Sequence, residues 1–315
     1  SRIEGEKHDR AHLPPVEQRA EALLRTMIGH GTTAVRSHVD IDPEAGLDGL
    51  HALLRLRERY ADRVHLQIVA FPQSGVVRSP GVADLLDRAL ADGADLIGGI
   101  DPEGYDGSLA GHLNTVFALA QKHGKGVDIH LHDLGPQGQR ELAAIVDRAE
   151  DWGEPGRVTV SHAFCLGEMT AADFDPLAAR MAAAGVSIVT HAPGAVPMPP
   201  VKRLREAGVR VFAGSDNIRD RWGPFGNGNM LERAMLVAWQ QGYRTDPDLE
   251  LAFAVCSAAG GAALGLAPFG PEPGLDANLI ALPAGSLAEA VVARPPCSLV
   301  LRRGRVVARN GACCP

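Results

Sequence analysis

The chain has 315 residues, 45% hydrophobic and 22% charged, which suits one large domain or a barrel with a small appendage. A net charge of −7 excludes the electrostatic footprint of a nucleic-acid or anionic-membrane binder. No apolar run approaches the roughly 20 residues of a membrane span, and the N-terminal Ser1-Arg2-Ile3-Glu4-Gly5 has no signal-peptide pattern.

Strands and helices are expected to alternate from residue 16 onward. A helix over Val16–Ile28 leads to a strand at Thr32–Asp40 and a helix at Gly46–Tyr60, where Leu47, Leu50, Leu53, Leu54 and Leu56 keep helical spacing. Strand His65–Gln73, helix Gly81–Asp92, strand Asp95–Ile100 and helix Leu109–His123 follow. Strand Gly126–Asp133, helix Gln137–Trp152, strand Arg157–Ala163 and helix Asp173–Ala184 come next. Strand Val186–Ala192, a short helix Val201–Ala207, strand Val209–Asp216 and helices Asn229–Gln241 and Glu250–Ala259 complete the series. The pattern then changes. Asp276–Leu282 reads as a short strand after Pro271-Glu272-Pro273-Gly274, and Cys297–Leu301 with Arg305–Arg309 reads as a hairpin.

This alternation implies parallel strands with right-handed crossovers. Polar residues crown most strand ends: His38, Asp40, Gln73, Asp101, His130, His162, His191 and Asp216. An open sheet gathers its chemistry at one switch point, whereas a closed ring spreads it over every strand end. The expected fold is therefore a (β/α)8 TIM barrel with a small β-sandwich appendage. The first barrel strand is missing from the chain, because only seven strands can be counted. The barrel domain is assigned to residues 1–265 and the appendage to residues 266–315, with its partner strands expected upstream of Ser1. Five scattered cysteines do not form a disulfide framework, so a reducing cytoplasm is the expected compartment. The Cys313-Cys314 pair reads as a frayed tail rather than a zinc half-site. The loop Gly223-Pro224-Phe225-Gly226-Asn227-Gly228-Asn229 lacks the Lys and Ser/Thr of a phosphate cradle and reads as a lid or connector.

Several segments carry a more specific signal: Arg36-Ser37-His38-Val39-Asp40, Gln67-Ile68-Val69-Ala70-Phe71-Pro72-Gln73, Asp128-Ile129-His130, Ser161-His162, Gly214-Ser215-Asp216 and Asp276-Ala277-Asn278-Leu279-Ile280. Together they resemble the amidohydrolase superfamily, in its cytosine deaminase-like branch, over nearly the whole chain. The resemblance implies one divalent metal, zinc or iron, and an enzyme acting on non-peptide C–N bonds. Metal-activated water would attack a C–N centre of a small, cytosine-like nitrogen heterocycle. Hydrolysis of an N-alkyl amine or a cyclic amide is one alternative, and a non-catalytic barrel that has lost its metal site is another. The expected partner is a small molecule, with neither nucleic acid nor membrane; homo-oligomerisation is left open.

The resemblance implies a role for each of several residues. His130 and Asp216 would be metal ligands, with Asp216 also the base for the attacking water. His162 would hold the developing oxyanion, and Asp133 would shuttle a proton to the leaving nitrogen. Gln73, Asn217 and Trp222 would contact the substrate, Gln73 through an amide that reads an N–C=O edge. His132 shares a strand face with His130 and is read as hydrogen-bonding a neighbour. His38, Asp40 and His191 would orient the ligands. Three departures stand out. The branch's His-x-His pair has no counterpart upstream of His38, its catalytic Glu is replaced by Asp133, and its Asp beside Asp216 is replaced by Asn217.

Overall fold

A computed structural model describes residues 13–220, 222–266 and 270–315. Seven strands form one sheet in chain order: β1 (Ala34–Asp40), β2 (His65–Phe71), β3 (Leu96–Ile100), β4 (Gly126–Leu131), β5 (Val158–His162), β6 (Ser187–Thr190) and β7 (Arg210–Ala213). Every strand pair with a described register, from β2–β3 to β6–β7, is parallel. Helix α1 (Val16–Gly29) precedes β1. The crossovers are α2 (Asp48–Arg59), α3 (Val82–Asp92), α4 (Leu109–His123), α5 (Gly135–Trp152), α6 (Ala171–Ala183) and α7 (Val201–Glu206). This strand order with helical crossovers is the topology of a (β/α)8 barrel.

The chain divides into two compact units. One unit comprises residues 1–36, 51–66 and 214–315, the other residues 37–50 and 67–213. The second unit holds most of the sheet. One face of its strands is apolar: Ile68, Ile97, Val127, Ile129, Val160, Ile188 and Val211 are all fully buried. Its helices have clear ends. Ser108 Oγ accepts from Gly111 N at 3.2 Å to start α4, and Gly124 at φ 61° stops it.

The sequence pattern runs several strands too far at their C-terminal ends. Gln73, Asp133 and Asp216 lie two, two and three residues beyond β2, β4 and β7. At the ends of β3, β5, β6 and β7 the chain turns in the left-handed region, with φ of 32° at Asp101, 73° at His162, 45° at Ala163, 53° at Ala192 and 57° at Asp216. Such conformations cost energy in non-glycine residues and cluster at functional sites. Apolarity alone does not encode that turn.

In the first unit, α8 (Met230–Gln240), α9 (Asp246–Val255) and α10 (Ala258–Ala263) precede a small antiparallel sheet. The expected helix over 250–259 is thus two helices, the first opened by Thr245 and a proline in its first turn. The sheet order is β11 (Ala312–Cys313), β10 (Arg305–Arg309), β9 (Leu299–Arg302), β8 (Leu279–Ala281), with α11 (Leu287–Ala293) between β8 and β9. Helix α11 and strand β11 are absent from the sequence reading. The sheet packs on helices: Val300, Val307, Ala308 and Cys297 form one core with Leu24 and Ile28 of α1 and Leu56, Tyr60 and Val64. That helical cover stabilises a sheet which the sequence reading could support only with upstream strands.

The C-terminal tail is ordered, contrary to expectation. Cys314 N donates to Val307 O at 2.9 Å, and Arg63 donates to Cys314 O at 3.0 Å and to Pro315 O at 2.7 Å. All five cysteines are free thiols, and Cys165 and Cys297 are buried.

Candidate metal and active site

Strand alternation sends Asp128 and His130 to the same face of β4, while Ile129 is buried on the other. Parallel register then sets His130 opposite Ile100 of β3 and Ser161 of β5, and Leu131 opposite His162. Imidazoles from β1, β4, β5 and the residue after β6 therefore meet at one end of the sheet. Ring centroids lie 4.6 Å apart for His38–His130, 4.6 Å for His130–His162 and 5.0 Å for His162–His191. His162 is the hub. Its Nε2 lies 3.3 Å from His130 Nδ1, and its Nδ1 lies 3.1 Å from His191 Nδ1.

Burial holds the His130 and His162 imidazoles well below the usual histidine range, and the neighbouring imidazoles push in the same direction. Neutral imidazole is the metal-binding form. Asp128 is fully buried, accepts from Ser161 Oγ at 2.6 Å and lies 3.7 Å from His38 Nε2. That Nε2 is buried without a hydrogen-bond partner. Nitrogen and carboxylate atoms of His38, Asp128 and His130 fall within 4.8 Å of one another, as do nitrogens of His130, His132 and His162. Converging imidazoles, one with an orphaned nitrogen, beside a buried carboxylate are a donor set suited to a divalent transition metal.

The other expected site residues lie in the segments that follow β2, β4 and β7. Gln73 is half-buried in the turn after β2, where its N–H donates to Phe71 O at 3.0 Å. Asp216 is exposed in the segment after β7, in the unit that includes residues 214–315. Asn217 donates its amide to Asp220, and Trp222, 46% exposed, donates its backbone N–H to the same carboxylate at 2.9 Å. Asp133 takes a bond from Gln137 Nε2 at 3.1 Å. Its carboxylate lies so close over Gly104 that a Cβ there would stand 2.0 Å from Oδ2. It also neighbours Glu141, a wholly buried carboxyl on α5 whose Oε1 accepts from Glu103 N at 2.6 Å.

The sequence reading missed Glu141 and the partner of His132. Glu141 sits on the buried face of a helix, where spacing alone suggests packing. His132 Nδ1 lies 2.7 Å from Asp101 Oδ2, and its backbone N–H donates to Asp101 Oδ1 at 2.5 Å. Asp101 had been visible only as one of many polar residues at strand ends.

The amidohydrolase family model matches residues 7–308. The chain is 33% identical over 282 residues to the N-isopropylammelide isopropyl amidohydrolase of Pseudomonas sp. (strain ADP), covering 89% of this chain and 70% of that protein. The crystal structure of N-isopropylammelide isopropylaminohydrolase from Burkholderia multivorans superposes with a TM-score of 0.97 at 45% identity, covering 100% of this chain and 81% of that one. The 5-methylcytosine deaminase of Klebsiella pneumoniae liganded with 5-fluorocytosine gives 0.84 at 29%, over 93% and 74% of the two chains. With this fold and these relatives, the chain belongs to the amidohydrolase family, in its cytosine deaminase-like branch, and is an enzyme of the hydrolase class that acts on carbon–nitrogen bonds.

Proposed function

We propose that the protein hydrolyses an amine substituent from a small nitrogen heterocycle, with one divalent metal at the histidine cluster. The observation that carries this reading is the meeting of His38, His130, His162 and His191, with the buried Asp128 beside His38 and His130. His130 and Asp216 are the proposed ligands. A cation held there would supply a water that is nucleophilic at neutral pH. Asp216 is the proposed base for the attacking water. Neutral His162 donates a hydrogen bond to the oxygen that gains charge. Asp133, which shares its surroundings with the carboxyl of Glu141, delivers a proton to the departing nitrogen. Gln73, Asn217 and Trp222 line the substrate, the indole by stacking on a flat ring.

Two observations favour an N-alkylamine over ammonia as the leaving group. The isopropylammelide hydrolases are 33% and 45% identical to this chain, against 29% for the 5-methylcytosine deaminase. Asn217 also stands where deaminases of the branch carry Asp. The test is a turnover panel of N-isopropylammelide, cytosine and a cyclic amide, run with zinc and with iron and scored for isopropylamine and ammonia. Release of isopropylamine by metal-loaded protein, lost on chelation, is the expected result. Ammonia release from cytosine alone would favour the deaminase reading. No turnover by protein that takes up no metal would favour a non-catalytic barrel.

A further inference from the structure

Gln73, the residue proposed to read the substrate's N–C=O edge, lies in the turn after β2. Two residues earlier, the Phe71 ring centroid lies 4.5 Å from that of His130, which sets the turn beside the histidine cluster. Among the described residues the Gln73 side-chain amide has no hydrogen-bond partner, so its donor and its acceptor are both unspent. The residues that follow are tied down on both sides. Toward β1, Ser74 Oγ donates to Asp42 Oδ2 at 3.2 Å. Toward β3, the three successive N–H groups of Val76, Val77 and Arg78 donate to Asp106 at 3.0, 2.9 and 2.9 Å. The Asp106 and His112 side chains are both wholly buried, with His112 Nδ1 2.7 Å from Asp106 Oδ2. The exposed Arg78 side chain lies over the Tyr105 ring at 4.4 Å and donates to Tyr105 O at 2.8 Å.

Resting on the proposed function, we infer that Asp106 is a positioning residue that sets the turn after β2 before the substrate arrives, so that Gln73 meets the heterocycle already in place. The N–H groups of Val76, Val77 and Arg78 lie outside any helix or strand, and each needs an acceptor. One carboxylate serves all three, and a charged acceptor makes stronger bonds than a neutral one. Burial opposes ionisation, yet His112 and the N–H groups of Arg78 and Val77 hold the Asp106 carboxyl below the usual carboxylate range. A turn fixed in this way loses little freedom on binding, a loss that is otherwise subtracted from affinity. Gly75 shows how closely turn and carboxylate fit. It sits at φ 85°, and a Cβ there would stand 2.4 Å from Asp106 Oδ1.

Asp106→Asn tests this without changing the size of the side chain. Both oxygens accept from the turn, Oδ1 from Val77 and Arg78 and Oδ2 from Val76 and Val77. Either orientation of the amide therefore aims an NH2 group at N–H donors. Gly75→Ala drives the turn off the same carboxylate from the other side and leaves both Asp106 and His112 in the chain, so it carries the test if Asp106→Asn fails to fold. Both variants are assayed in the full chain on N-isopropylammelide, beside Gln73→Ala and the two double variants. Amide exchange over residues 74–79 is followed by mass spectrometry without substrate. Wild type should protect these amides, and each variant should speed their exchange by about 10-fold or more. KM should rise by about 10-fold with kcat held within about 2-fold, because an edge contact made equally in the ground and transition states acts on KM. Adding Gln73→Ala to either variant should raise KM little further.

A wild-type turn that exchanges freely overturns the inference, as does a turn that both variants leave protected. Fast exchange with an unchanged KM also overturns it. So do effects that multiply in the double variants, because Asp106 would then support the fold rather than act through Gln73. If wild type does not turn over N-isopropylammelide, the proposed function fails, and exchange alone decides whether Asp106 sets the turn.

Discussion

Glu141, whose carboxyl neighbours Asp133, is the acidic side chain through which the protein should sense pH. Burial, opposed by a bond from the Glu103 N–H and reinforced by the Asp133 and Asp101 carboxylates, pushes the Glu141 carboxyl up to about 8. A carboxyl raised in the folded state binds a proton that the unfolded chain has already lost. Stability from this group is thus fully present below the ordinary Glu range and declines as pH rises toward 8. Glu141→Gln, which mimics the protonated form, should flatten the urea midpoint between about pH 5 and 8 while wild type declines. Parallel curves for the two proteins would mean that Glu141 is ionised when folded. Asp133→Asn should keep metal and fold but lower saturated turnover by about 10²-fold, the common worth of a general acid or base. Equal rates would leave Asp133 as half of a structural pair. The sequence shows Asp133 and the crown of histidines because residue type and strand-end position suffice for them. Glu141 and the Asp101–His132 bond depend on which side chains meet across elements 31 to 38 residues apart, and no local pattern encodes that.

Helix α5 approaches the end of β4 through a glycine. A Cβ on Gly138 would stand 1.9 Å from Asp133 O and 3.0 Å from Cys165 Cβ. In an ordinary helix interior, Gly→Ala stabilises by about 1 kcal/mol. Here the methyl meets backbone that cannot rotate aside, so Gly138→Ala should destabilise by about 1–3 kcal/mol, measured by denaturant unfolding. A gain in stability would show that α5 can shift outward at no cost. The element order was legible because buried parallel strands and amphipathic helices differ in length and period. The ends of β5 and β7 were overrun because the left-handed turns at His162 and Asp216 fall on residues whose type does not announce them. Helix α11 was missed because the seven residues opened by Ser286 make fewer than two helical turns to read.

Across the whole molecule, each compact unit is assembled from segments far apart in the chain. The first unit joins residues 1–36, 51–66 and 214–315, so Arg25 and Arg63 come to hold the carbonyls of Cys313, Cys314 and Pro315. Removing residues 313–315 deletes these acceptors and β11, and should cost about 1–3 kcal/mol. An unchanged unfolding midpoint would return the tail to the frayed segment that the sequence suggests. The buried thiols allow the units to be followed separately. Cys165 belongs to the second unit and Cys297 to the first, and burial raises both thiols, Cys165 to about 12. Thiolate is the form that alkylates, so neither should react while its own unit stays closed. A timed pulse of iodoacetamide along a urea series, with the two cysteine peptides weighed by mass spectrometry, therefore acts as a pair of independent clocks. It would report which unit opens first without any engineered label.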